Sequence, residues 1–214
     1  MKKIFHAALA VAMLGLLSSA SAITIGNTGS TGDNCQPFGC TGTGGTYQQL
    51  YTSDKFTGPV SISAIGFYTQ TYQYFENGTK PNLGNYTVSL STTNTFGTAR
   101  DSNLGADNTV VYQGTLNLDA QNRLILSFAD AFVYDPTKGS LLLDVSYSNV
   151  SQNKNMYFVS DDGFQRLVDG ATDGYGLVTE FITDSTAVPE PTSIALLLSG
   201  LVGLSACRRK GARS

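Results

Sequence analysis

Four carboxylates fall within 13 residues in the segment SDDGFQRLVDGATDG, at Asp161, Asp162, Asp169 and Asp173. Loop oxygens at that density are what a hard cation such as Ca²⁺ takes as ligands, so a structural calcium is the metal chemistry to weigh. The spacing lacks the fixed ligand positions of an EF-hand. Aspartates in turn sequences also bond their own backbone N–H groups, and that use competes with calcium here. A second chemistry is stacking. The stretch FYTQTYQYFENG carries Tyr68, Tyr72 and Tyr74, which share one face if the segment is a strand. Exposed tyrosines can lie against pyranose rings while neighbouring Gln and Thr bond the hydroxyls. Cross-strand packing is the competing use, and the chain has no Trp to strengthen a sugar site. A third is oxidation of the pair in CQPFGC: an exported setting favours a disulfide between Cys35 and Cys40 around a small loop.

Much catalytic chemistry is excluded. The one histidine, His6, stands in the N-terminal segment read below as a signal peptide. The mature chain therefore lacks the residue that Ser-His-Asp and Cys-His catalysis and histidine-bearing zinc sites require. A glycosidase needs two carboxylates about 5–9 Å apart. Glu76, Glu180 and the aspartates are the available acids, and most stand in turn-like sequences such as DNTV, YDPTKG and SDDGF. The reading is a protein that is not an enzyme and needs no cofactor, calcium aside. An Asp/Glu glycosidase is the least favoured alternative. Asn77, Asn85 and Asn149 begin Asn-x-Ser/Thr triplets, a pattern that an Asn- and Thr-rich chain supplies by chance.

The two ends are built differently from the middle. MKKIFHAALAVAMLGLLSSASA has a basic start, an apolar core and small residues at its exit, the order of a secretory signal peptide with Ala20 and Ala22 framing the cut. At the other end, Val188-Pro189-Glu190-Pro191 precedes an apolar run from Ile194 to Cys207, then Arg208, Arg209 and Lys210. Those 14 residues reach roughly 21 Å as a helix, against a hydrocarbon core of about 30 Å. The flanking arginines can snorkel to the interface. The basic tail keeps that end cytoplasmic, so everything between the two ends faces outward. The prolines keep a helix from propagating and hold the backbone extended, the form a protease cleft grips.

This order resembles the C-terminal sorting signal of the PEP-CTERM proteins of Gram-negative bacteria. The resemblance implies signal peptidase and the secretion machinery as partners, then exosortase, a membrane-embedded cysteine protease that recognises Pro-Glu-Pro. It implies transient inner-membrane anchoring, then a cell-surface or extracellular location, with exopolysaccharide and biofilm as the setting.

Between the ends the chain is acidic. Of 13 Lys and Arg, Lys2, Lys3, Arg208, Arg209, Lys210 and Arg213 are terminal, whereas all 16 Asp and Glu lie between Ile23 and Pro191. The outward part carries about −9 (7 − 16), which repels phosphate backbones and excludes nucleic acid as a partner.

The elements that must position these residues are strands. PVSISAIGFY alternates Val60, Ile62, Ala64 and Gly66 against Ser61, Ser63, Ile65 and Phe67. NYTVSLST alternates Tyr86, Val88 and Leu90 against Thr87 and Ser89. TVVYQGTLNL, RLILSFA, SLLLDVSY, MYFVS and YGLVTEFIT follow, separated by turn sequences such as DPTKGS. Period-two runs at this spacing predict an all-β, antiparallel β-sandwich, jelly-roll-like, of eight or nine strands, followed by a C-terminal transmembrane sorting helix. The domains are 1–22 signal peptide, 23–186 ectodomain and 187–214 sorting signal. Much of Tyr47–Val145 also resembles a recurring ectodomain of PEP-CTERM proteins for which no activity is established. The expected function is an exported surface or matrix protein, with a lectin-like carbohydrate-binding module as the alternative.

Overall fold

In a computed structural model of the chain, the structure describes residues 21–40, 44–70, 83–151 and 156–184. The transmembrane helix expected after Pro191 and most of the signal peptide lie outside these residues. Among the described residues no helix is long and apolar enough to cross a membrane. Contacts group Ala20–Ser185 into one compact unit.

Antiparallel strands dominate. In chain order they are Ser21–Ile25 (β1), Gly32–Asn34 (β2), Gly44–Tyr51 (β3), Val60–Tyr68 (β4), Leu83–Thr93 (β5), Thr109–Gly114 (β6) and Arg123–Tyr134 (β7). Ser140–Ser151 (β8), Phe158–Asp161 (β9), Gln165–Val168 (β10), Ala171–Asp173 (β11), Gly176–Leu177 (β12) and Thr179–Asp184 (β13) complete them. Among the described residues a four-residue helix, Arg100–Asn103 (α1), lies between β5 and β6, and a 3-10 turn, Ser53–Lys55, follows β3. One sheet runs β1-β13-β4-β7, a second β11-β10-β3-β8-β5-β6, and a small third β12-β9-β2. The expectation of eight or nine strands is therefore too low for the described residues, which hold thirteen. The surplus comes from pieces such as β2, β11 and β12, of two or three residues, too short to show an alternation that can be read.

The two larger sheets share one core. Ile62, Ile65 and Phe67 of β4, Leu124 and Leu126 of β7 and Phe181 of β13 meet Tyr47 and Tyr51 of β3, Tyr86, Val88 and Leu90 of β5, and Leu141, Leu143 and Val145 of β8. Tyr51 and Phe181 bridge the layers edge to face at 4.9 Å, and Phe56, from the turn after β3, packs edge to face on Tyr134 of β7 at 4.8 Å. Such pairs contribute about 0.5–1.5 kcal/mol each beyond the area they bury.

The alternation read in β4 fails halfway. Val60 and Ile62 face the core as expected, but so do Ile65 and Phe67, whereas Ala64 and Gly66 face outward. The cause is a bulge: on β13 Ile62 pairs with Thr183 and Ala64 with Ile182, so Ser63 is an extra residue on β4 and the parity flips, and on the other side Phe128–Ala131 of β7 stand opposite it. YGLVTEFIT is likewise two strands, not one. The chain changes sheets at the buried Val178, whose N–H donates to the Val159 carbonyl at 3.0 Å.

Candidate functional site

Residues Asn94–Asn108 fold over the outward face of the larger sheet and seal a polar cluster against it. Gln48 on β3, Ser89 on β5 and Asp144 on β8 share that face, because their neighbours Tyr47, Val88 and Val145 point into the core. Arg100 of α1 donates to Asp144 through Nε at 2.8 Å and Nη2 at 2.6 Å. Gln48 Nε2 donates to Asp144 Oδ1 at 2.9 Å, and Asn103 Nδ2 to Gln48 Oε1 at 2.8 Å. Asn103 also holds Gly97 in both directions, accepting from its N–H at 2.8 Å and donating to its carbonyl at 2.9 Å. The cluster is closed and self-satisfied, a latch for the loop.

Polar residues at the core end serve structure too. The Gln49 amide donates to the Leu177 carbonyl at 2.9 Å and accepts its N–H at 2.8 Å, so a side chain stands in for a paired strand. The Tyr47 hydroxyl donates to the same Gln49 oxygen, and Tyr51 Oη meets Thr179 Oγ1 at 2.7 Å. Burial pushes the Tyr47 and Tyr51 hydroxyls well above the ordinary phenol range.

Three of the four aspartates weighed for calcium, Asp161, Asp169 and Asp173, hold other partners through their carboxylates. Asp161 accepts the N–H groups of Asn27 at 2.8 Å and Asp162 at 3.0 Å. Asp169 takes a left-handed conformation (φ 45°) and accepts the Thr46 N–H at 2.8 Å. Asp173 is held by Arg166 through two hydrogen bonds, at 2.5 and 2.8 Å, and by the Tyr175 N–H at 2.9 Å. Partial burial works against the Asp173 carboxylate, but those hydrogen bonds outweigh it and hold its pKa below the usual range. Among the described residues no three His, Cys, Asp or Glu side chains come together as a metal site. Asp119 and Asp135 also bond the N–H groups of their own turns. Glu180, one acid weighed for hydrolysis, accepts from Arg123 Nη1 at 2.8 Å on the outer face of the smaller large sheet. Glu76 lies outside the described residues.

Of the stacking candidates, Tyr68 ends β4 on that same outer face, half-buried and opposite Arg123. Tyr72 and Tyr74 lie outside the described residues. Cys35 and Cys40 are bonded, with Cα atoms 4.7 Å apart. Their loop drives Phe38 into the core, fully buried, with its ring 4.9 Å from Phe67 and 5.8 Å from Tyr86. Gly39 permits this. Its carbonyl takes the Met156 N–H at 2.8 Å, and a Cβ there would stand 1.8 Å from the Met156 oxygen.

One cleft of about 200 Å³ opens between the sheets, with Ile25, Tyr51 and Phe164 among its walls and Lys55, Asp161 and Asp162 around it. An ammonium, a carboxylate and an aromatic edge can together bind a small hydroxylated ligand. Its residues come from β1, β3, the turn after β3 and the β9–β10 turn, so no single stretch of sequence announces it.

The chain enters and leaves the domain at one corner. β1 and β13 are antiparallel neighbours, with Ser21 opposite Thr183 and Ala22 opposite Ile182. The Thr183 hydroxyl donates to the Ser21 carbonyl at 3.2 Å. Ala22, the residue before the predicted signal cut, thus stands in the second pair of β1, Ala20 lies outside the described residues, and β13 ends at Asp184. Val188–Pro191 and Arg208–Lys210 lie outside the described residues.

Residues 187–210 match the family model described as the PEP-CTERM protein-sorting motif. No curated protein matches the chain. The motif makes exosortase the processing partner, and it directs export with transient membrane anchoring followed by a surface or extracellular location.

Proposed function

We propose that the chain is a non-enzymatic surface or matrix protein, delivered beside exopolysaccharide in a biofilm setting, with a β-sandwich domain as its cargo. The strand orders β1-β13-β4-β7 and β3-β8-β5-β6 are read as the two sheets of an eight-stranded jelly roll, with β9–β12 inserted before the last strand. The observation that carries the proposal is the junction: the domain's last strand ends at Asp184, and the sorting segment begins at 187. The partnered state of Asp173, Glu180 and Asp144 favours a structural over a hydrolytic use of the acids. Replacing Pro189-Glu190-Pro191 by alanines in the native host is the test. A longer, membrane-retained product is expected, and unchanged processing would overturn the sorting reading.

A lectin-like role is the second reading, favoured by the cleft beside Phe164 and by the half-exposed Tyr68. Glycan-array binding that disappears in a Tyr72→Ala, Tyr74→Ala variant would support it, and an array without signal would dismiss it.

A further inference from the structure

We propose that the outer face of the β1-β13-β4-β7 sheet around Val133, Ser61 and Ile182 is a docking surface for the membrane-bound protease that cuts the tail. The proposal rests on the sorting reading above. Four residues separate Asp184 from Pro189, so their Cα atoms stand at most about 18 Å apart. A domain of this size has a radius of gyration of about 15 Å. An enzyme gripping Pro189–Pro191 therefore cannot stand clear of the domain, and it meets the corner where β13 ends.

That corner has an unusual surface for an acidic exported protein. Val133, Ser61 and Asp184 form one row across β7, β4 and β13, and Ser127, Ala64 and Ile182 form the next. Val133 is 72% exposed, the most of the exposed large hydrophobics among the described residues, ahead of Val110 at 55% and Tyr175 at 47%. Apart from Asp184 at the end of the first row, the side chains of both rows are small or apolar, with Ala64 buried, Ser61 and Ile182 half-buried and Val133 and Ser127 exposed. Asp130 lies at the margin, and the Arg123–Glu180 pair begins only further along the strands. A strand edge opens beside this face as well. A signal cut after Ala22 removes the residues opposite Thr183 and Ile182 and leaves that part of β13 unpaired on one side. A protein partner can satisfy an open edge by adding a strand. Lipid offers that edge no hydrogen bonds, so the face suits an enzyme better than a bilayer.

The experiment follows processing of the full-length protein by pulse-chase in its own host. Val133→Asp and the milder Val133→Thr, which keeps strand propensity, are compared with Val110→Asp on the other sheet. Thermal unfolding of each purified product checks the fold. Val133→Asp is expected to slow tail cleavage by about fivefold or more, the loss typical of one interface anchor. Val133→Thr should slow it less, and Val110→Asp not at all. A flexible spacer of about ten residues after Asp184 should slow the parent protein and erase the Val133→Asp difference. Cleavage of folded Val133→Asp at the parent rate would overturn the proposal, as would a slowing that survives the spacer. Binding of the purified protein to protein-free vesicles that Val133→Asp abolishes would place the face on lipid and overturn it too. Normal cleavage of the Pro189-Glu190-Pro191 alanine variant would instead defeat the sorting reading itself.

Discussion

The guanidinium of Arg100 closes on the carboxylate of Asp144 through two hydrogen bonds, 44 residues apart in the chain and nearly out of water on the Asp144 side, whose side chain is 6% exposed. This pair holds α1 and its loop on the outward face of the larger sheet. Removing one partner of such a pair costs more than the pair itself contributes, because it strands the other charge.

Arg100→Ala is therefore expected to destabilise the mature protein by about 3 kcal/mol. Val110→Ala, an exposed site, should cost well under 1 kcal/mol. Urea denaturation midpoints of the two variants decide it. A cost for Arg100→Ala no larger than that of Val110→Ala would mean that the loop does not depend on the pair.

The Cys35–Cys40 bridge and the Phe38 it presents can be separated by size of effect. Closing a loop of six residues removes only about 2 kcal/mol of unfolded-state entropy. Phe38→Ala should cost about 3–5 kcal/mol, since it empties a fully buried ring site. Denaturant unfolding of Cys35→Ser, Cys40→Ser against Phe38→Ala is expected to show the larger loss for the ring.

Stability should be flat across neutral pH and fall at both extremes. For Asp135, hydrogen bonds from the Thr137 hydroxyl and N–H lower the carboxyl pKa. For Asp119, partial burial opposes the charge, but bonds from Arg123 and Gln121 outweigh it and again lower the value. A folded pKa below the unfolded one gives stability that is present above about pH 4 and lost as pH falls through the folded value. Tyrosines run the other way. Burial, with Asp135 nearby, raises the Tyr134 pKa to about 12, so its contribution is whole below about pH 10 and lost as pH climbs through the folded value. With no His in residues 23–186, the melting temperature should hold level between about pH 5 and 9. A step near pH 6.5 would contradict this.

Calcium should leave the domain unmoved. With Asp161 engaged by two N–H groups and Asp173 by Arg166, EDTA is expected to shift the melting temperature by less than about 1 °C. A drop of several degrees, restored by Ca²⁺, would show that these loops rearrange around an ion.

How far the fold could be read in advance depended on local regularity. Tyr86, Val88 and Leu90 line the core as their alternation implies, because β5 keeps its register with β8 through that stretch. β4 misled because Ser63 is an extra residue within it, and nothing in PVSISAIGFY marks that position as a bulge; only its pairing with β13 and β7 does. The polar latch was hidden for a different reason. Gln48, Ser89 and Asp144 occupy positions that alternation assigns to solvent, and they are buried only because a loop from elsewhere covers them. The aspartates of SDDGFQRLVDGATDG looked alike in sequence. Position alone divided them, Asp173 to an arginine across a strand pair and Asp161 to a backbone N–H 134 residues distant.

The adjacency of β1 and β13 has an engineering consequence. Antiparallel neighbours need only a tight turn to become a hairpin, so the end of β13 could be stitched back onto Ile23. New ends could then be opened in the exposed turn between Asp135 and Gly139, giving a circularly permuted domain. That turn follows Tyr134, beside the row of Val133, Ser61 and Asp184, so the new termini would open at the same end of the sheet as the old ones, two strands across from where β13 ends.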